Sequence, residues 1–123
     1  DPATSLDISG LTAQENAVAV YWYLENNITL DSVRWMTSVD SNSNLTFHLF
    51  SYDLNVSGDP GSLANGIVNA NAVVAPATTG VKTGTFTLDA ADIDASKVVV
   101  GFVENMTGTS DVTVSFNIKY HIR

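Results

Sequence analysis

The chain contains no cysteine, which removes disulfides, thiolate metal sites and cysteine nucleophiles together. That absence assigns no compartment, because many extracellular, bacterial and viral domains do without disulfides. Basic residues are almost as scarce: Arg34, Lys82, Lys97, Lys119 and Arg123 stand against 13 acidic residues, for a formal net charge of −8. Five scattered cations cannot form the cluster that a phosphate backbone or an anionic lipid surface requires, so neither nucleic acid nor membrane is expected as a partner. Charged residues of either sign make up 15% of the chain, against roughly 25% in an ordinary soluble domain. A surface of Ser, Thr, Asn and Ala suits secreted proteins and particle assemblies. No apolar run approaches the ~20 residues of a spanning helix. The start, Asp1-Pro2-Ala3, is neither a signal peptide nor an initiator methionine, which points to a trimmed or processed chain.

What the sequence has instead is alternation. In ITLDSVRWMTSV, residues 28–39, Val33, Trp35, Thr37 and Val39 fall on one face and Arg34, Met36 and Ser38 on the other. In LTFHLFSYD, residues 45–53, Leu45, Phe47 and Leu49 oppose Thr46, His48 and Phe50. Period two over this length means extended chain. Ile28 and Leu30 keep even register while Val33, Trp35 and Val39 keep odd register, so a bulge or bend is expected near Asp31-Ser32. The polar turn Asp40 to Asn44 separates the two runs, and in a jelly roll it carries the chain between sheets.

Further strands are expected at Ser5 to Ser9, at Ala17 to Leu24 with Val18, Val20, Trp22 and Leu24 inward, at Ile67 to Ala75, Val81 to Leu88, Lys97 to Glu104 and Val112 to Ile122. In the last of these Val112, Val114, Phe116, Ile118, Tyr120 and Ile122 share one face. VVVGFV, residues 98–103, looks buried on both faces. Asn55 to Gly66 is rich in turn formers and reads as an exposed loop. Asp89 to Ala95 reads as a single helical turn capped by Asp89, with Ile93 plugging the sandwich end. The sum is one all-β domain, a two-layer β-sandwich of about eight strands over residues 5–123 preceded by an arm at 1–4. A jelly-roll strand order is favoured over an immunoglobulin-like one, since the Cys-Trp-Cys core of antibody domains is missing.

Chemistry-bearing motifs are thin. Asp89, Asp92 and Asp94 are weak candidates for a cation, but their spacing fits no EF-hand loop, and a cap with solvated neighbours is the plainer reading. His48 and His121 lie on strands with no nucleophile motif nearby, and GxSxG, HExxH and paired-cysteine patterns are absent. No enzyme activity and no cofactor are expected. Asn-x-Ser/Thr sequons at Asn27, Asn44, Asn55 and Asn105 would be glycan acceptors in a eukaryotic secreted protein; a chain this rich in Asn, Ser and Thr also produces them by chance.

The aromatics say more. With Trp22, Trp35, Phe47, Phe86, Phe102 and Phe116 assigned to the core, Tyr21, Tyr23, Met36, Phe50 and Tyr52 fall on the opposite sides of their strands. Outward aromatics make a platform for a partner or a stacked sugar ring. The alternative is that one sheet is covered on its second face by loops or by the N-terminal arm.

The opening strands, the ITLDSVRWM run, the small-residue middle and FTLDAADIDASKVVVGFVE together resemble the small jelly-roll domains of tailed-phage virions, which occur as capsid decoration proteins and as head-fibre or tail-spike tips. The resemblance is one of pattern over most of the chain and transfers no individual site residue. It implies a non-enzymatic virion structural protein, a trimer or other symmetric homo-oligomer on the virion surface, seated on a major capsid protein or another virion protein. The alternative from the residues is a carbohydrate- or receptor-binding module, secreted or extracellular, that holds a cell-surface glycan on Tyr21, Tyr23 and Tyr52.

Overall fold

The computed structural model describes residues 16–39, 45–54, 64–75, 79–104 and 112–123. The expected arm at 1–4, the strand at Ser5 to Ser9, the turn Asp40 to Asn44 and most of the Asn55 to Gly66 loop lie outside the described residues. Among those described, the strands are β1 (Asn16–Tyr23), β2 (Ile28–Val39), β3 (Leu45–Asp53), β4 (Ala64–Ala75), β5 (Gly80–Thr85), β6 (Asp92–Ile93), β7 (Lys97–Glu104) and β8 (Val112–Ile122).

All pairings are antiparallel and they build two sheets. The first runs β1-β7-β3-β4; in the second, β2 pairs β8 on one side and β5 followed by β6 on the other. The all-β sandwich is therefore as the alternation predicts. β2 and β3 belong to different sheets, so the chain crosses between layers after Val39 and closes no hairpin there.

Why β2 can serve the core along its whole length is visible in its register. Leu30 pairs with Tyr120 and Ser32 with Lys119, so one residue of β2, Asp31, has no opposite number on β8. That bulge resets the alternation, and Ile28, Leu30, Val33, Trp35 and Val39 are all buried. A second slip, between Val18 and Val20 in the β1–β7 ladder, corrects an expectation: Val18 opposes Phe102 while Val20 opposes Gly101, so the extra residue sends Val18 to the outer face and leaves Val20 and Trp22 facing inward.

Between the sheets, Trp35 stacks on Phe47 with centroids 4.7 Å apart, Phe47 meets Phe116 edge-on at 6.0 Å, and Phe86 stacks on Phe116 at 5.7 Å. Leu45, Leu49, Val99 and Val103 complete the layer from the first sheet, and Ile28, Leu30, Val33 and Ile93 from the second. Phe102, assigned to this core by alternation, belongs elsewhere: with Phe50, Tyr52, Val98 and Val100 it forms a separate buried cluster on the opposite face of the first sheet. From Val98 to Val103 β7 is apolar, apart from Gly101, and buried on both sides.

One edge of the sandwich is stitched. After Phe86, whose N–H still donates to Val33 O, the chain leaves β2, and residues 87–90 reach across to β4: Asn71 N–H donates to Thr87 O, Asp89 N–H to Asn69 O, and Leu88 bridges Ala70. The buried Asn69 adds a side-chain bond from Nδ2 to Ala90 O at 2.8 Å. The helical turn expected at Asp89 to Ala95 is thus absent; its residues form this crossing, the short strand β6, and a turn at Ala95-Ser96 with Ser96 at positive φ. Local propensity for a turn of helix loses to the ladder partners that β2 and β4 hold out. Ile93 is buried beneath it as the sequence suggests.

Gly84 shows how tightly the second sheet closes on its tryptophan. A Cβ there would sit 2.6–2.9 Å from the Trp35 indole, well inside contact distance, and Thr83 Oγ1 already holds the Trp35 carbonyl at 3.0 Å. Gly84→Ala should destabilise the fold by about 1–3 kcal/mol through overpacking, read as a lowered Tm; an unchanged Tm would show that the indole has room to move.

Candidate functional site at the open edge

The edge opposite the stitch has no such closure among the described residues. β1 is the last strand of the first sheet and β8 the last of the second, and the side chains that line their gap come from both. Trp22 and Tyr120 meet with ring centroids 4.9 Å apart at a 57° tilt. Around them opens a groove of about 350 Å³ lined by Trp22, Tyr23, Leu24, Glu25, Asn26, Ile28, Tyr120 and Ile122. Register places Tyr120 opposite Leu30 and Ile122 opposite Ile28, on the core side of the sheet. They are nonetheless 46% and 61% exposed, because no described strand lies beyond β8 to cover them.

The groove offers apolar ring faces, one carboxylate from Glu25 and one amide from Asn26. Among the described residues Glu25 is the one carboxylate of the groove, placed to orient a hydroxyl-bearing ligand. What it suits chemically is the binding of a flat or ring-shaped group with polar edges.

Below the groove the end of the molecule is held by ion pairs. Arg123 donates from its guanidinium to the Ile28 carbonyl and to Asp94 Oδ1 at 2.9 Å, with Asp92 4.0 Å away, while Thr29 Oγ1 donates to Asp92 at 2.6 Å. Asp92 and Asp94 thus serve Arg123, which ties the end of β8 to β6. Asp89 stands apart at the stitch, where the Asn71 amide, turned to face it, donates to its carboxylate. The three acids do not converge, and no group of three or more His, Asp or Glu among the described residues could hold a metal ion. Asn27, the one sequon asparagine among the described residues, is exposed and accepts a bond from Ala95 N–H at 2.8 Å.

The five aromatic-platform residues do not form one surface. Tyr21 and Tyr23 are 66% and 50% exposed on the outer face of β1. Met36 is exposed on the other sheet. Phe50 and Tyr52 are buried in the second cluster, opposite Val100 and Val98. Alternation tells which way a side chain points and is blind to what lies over it, which is why outward and exposed part company here. Of the histidines, His48 stacks on Phe102 at 4.8 Å and His121 Nδ1 sits 2.9 Å from Asp31 Oδ1 on the surface. Sequence reasoning missed the groove because Trp22 and Tyr120 both read as core; the available signal was that each lies near a strand end, where cover runs out.

Comparison with protein-family models, with curated proteins and with solved structures finds no match to this chain.

Tyr52 carries a testable consequence of its burial. Desolvation pushes its phenol up to about 12 from the ordinary 10, because the phenolate would lose its hydration. The unfolded chain ionises near 10 and the folded one two units later, so this residue's contribution is intact below pH 10 and is lost as the pH rises toward 12. Alkaline unfolding should therefore be less steep between pH 10 and 12 in Tyr52→Phe than in the parent, measured by circular dichroism across that window. The variant also removes a hydroxyl that has no hydrogen-bond partner among the described residues, so at neutral pH it should be neutral or mildly stabilising.

Proposed function

We propose that the protein is a non-enzymatic structural module of a virion surface, decorating or stabilising a capsid as a symmetric homo-oligomer. The observation that carries this reading is the apolar strip on β1, where Val18, Tyr21 and Tyr23 stand exposed on an edge strand, continuous with the buried row Val98, Val100 and Phe102 of its neighbour. Exposed aromatics on an edge strand are what an oligomer interface covers, and a symmetric assembly uses the same strip in every copy. The low charge of the chain fits a surface that spends much of its area against other subunits. A trimer seated on a capsid protein is the form implied by the likeness to phage jelly-roll domains.

The jelly-roll order belongs to the same reading and is supported by the pairing. The chain folds back about the β3–β4 hairpin, so that β2 returns against β5 and β6, and β1 against β7. Such a doubled ribbon wound over two layers is how a jelly roll is made.

A second reading has its own observation. The Trp22 and Tyr120 rings, with Glu25 and Asn26 at their margin, make a groove in which a sugar ring could stack.

The two readings separate in solution. Sedimentation of the purified chain should give a trimer, and Tyr21→Glu with Tyr23→Glu should weaken its association at least tenfold, a loss of about 1.4 kcal/mol. A monomer at tens of micromolar would sink the oligomer reading. Retention on a glycan array, lost in Trp22→Ala and kept in Tyr21→Glu, would establish the second in its place.

A further inference from the structure

We infer that the outer face of the second sheet, centred on Arg34 and Lys119, binds a sugar ring that carries a carboxylate. The chain has five basic residues against 13 acidic ones, and the ladder between β2 and β8 brings two of the five together. Arg34 pairs with Asn117 and Ser32 with Lys119. The two cations therefore sit at diagonal positions, about 7–8 Å apart, on one side of the sheet. Both are exposed. Lys97 is taken by Asp53 and Arg123 by Asp94, whereas neither Arg34 nor Lys119 has a carboxylate partner among the described residues.

Arg34 is aimed before any ligand arrives. Thr83, across from Met36 on β5, donates its hydroxyl hydrogen to the Trp35 carbonyl at 3.0 Å. Its lone pair is left to accept from the Arg34 guanidinium at 3.2 Å. One of the N–H donors of the fork is thus taken up in holding the side chain, and the others are free for the two oxygens of a carboxylate. Asp31, the nearest acid along β2, is engaged by His121 at 2.9 Å. Exposed acids farther off than about 8 Å are screened at physiological salt, so the negative charge of the whole chain does not cancel the local field.

Around the cations the face is polar and open. Thr85 and Asn117 flank Arg34 on its two sides, and Ser115 lies beside Met36 in the next row. Thr85, Asn117 and Ser115 are exposed, and their side chains have no hydrogen-bond partner among the described residues. Met36 is the one apolar side chain in these rows. Because β2 is laddered on both sides here, a peptide finds no strand edge to pair with and meets only the two charges. A sugar needs no edge. Its hydroxyls exchange hydrogen bonds with hydroxyl and amide groups laid flat, and a carboxylate on the ring complements Arg34 and Lys119. Two cations match one acidic ring among neutral ones and not a run of phosphates. The face lies on the far side of β2 and β8 from the Trp22–Tyr120 groove, and binding there is independent of it.

Titrations of the full chain followed by NMR test the inference. The probes are a hyaluronan tetrasaccharide, with a carboxylate on alternate rings, and sialyllactose, with one on its terminal ring. Chitotetraose and lactose serve as their neutral counterparts, and tetraglutamate as an acidic peptide. At least one acidic sugar should shift the amides of Arg34, Asn117 and Lys119 and bind about tenfold more tightly than its neutral counterpart or tetraglutamate, less so as salt is raised. Which of the two binds tells whether the acid belongs to a polymer repeat or to a chain end. Arg34→Gln and Lys119→Gln, both at the surface, should leave the Tm unchanged and each lower that affinity about tenfold. Tyr120→Ser, which alters the groove, should leave it in place. Tetraglutamate binding as tightly as the sugars would overturn the inference in favour of an acidic peptide. So would binding that survives both Gln variants, shifts confined to Trp22 and Tyr120, or no binding of either acidic sugar at millimolar concentration.

Discussion

The constraint on which the rest of the structure depends is the single unpaired residue in β2. β2 is the one described strand that ladders with three others, β5, β6 and β8, and its core face must stay unbroken from Ile28 to Val39. A strict alternation over that length would turn Ile28 and Leu30 to water, forfeiting roughly 1.5–3 kcal/mol for each. Asp31 takes up the mismatch, and does so on the exposed side where His121 meets its carboxylate. With both halves of β2 inward, Trp35 can reach Phe47 across the layers and Ile28 can seat Ile93, so the middle and the end of the sandwich are set by the same strand.

How the first sheet is used follows from its central strands. β3 and β7 are buried on both faces, the inner by the opposing sheet and the outer within the Phe50, Tyr52, Val98, Val100 and Phe102 cluster. Only β1 carries aromatics into the open. Between β7 and β1 the same sheet therefore grades from fully buried to freely accessible within one strand's width.

Much of this was legible in the residues. Two-residue periodicity located β1, β2, β3 and β8, and the clash of registers between Leu30 and Val33 announced the bulge before any pairing was known. VVVGFV, with no alternation, announced its double burial. The parts that misled share a cause. The Asp89 to Ala95 segment has helical spacing but lies between two strands that both need partners, and pairing over that distance leaves no local trace. Phe50 and Tyr52 point outward as read, yet are covered; Trp22 and Tyr120 point inward, yet line a groove. Orientation is a local property of the chain, whereas cover depends on residues distant in sequence, as Val98 is from Tyr52 and Tyr120 from Trp22.

The two edges of the sandwich also differ in what they ask of thermal motion. Asn69 and its neighbours bind the layers on one side through backbone bonds and a buried amide, so that side behaves as the spine of a book. The Trp22–Tyr120 contact at the other margin is between two side chains alone, so the two layers are joined by backbone at one side and by ring against ring at the other.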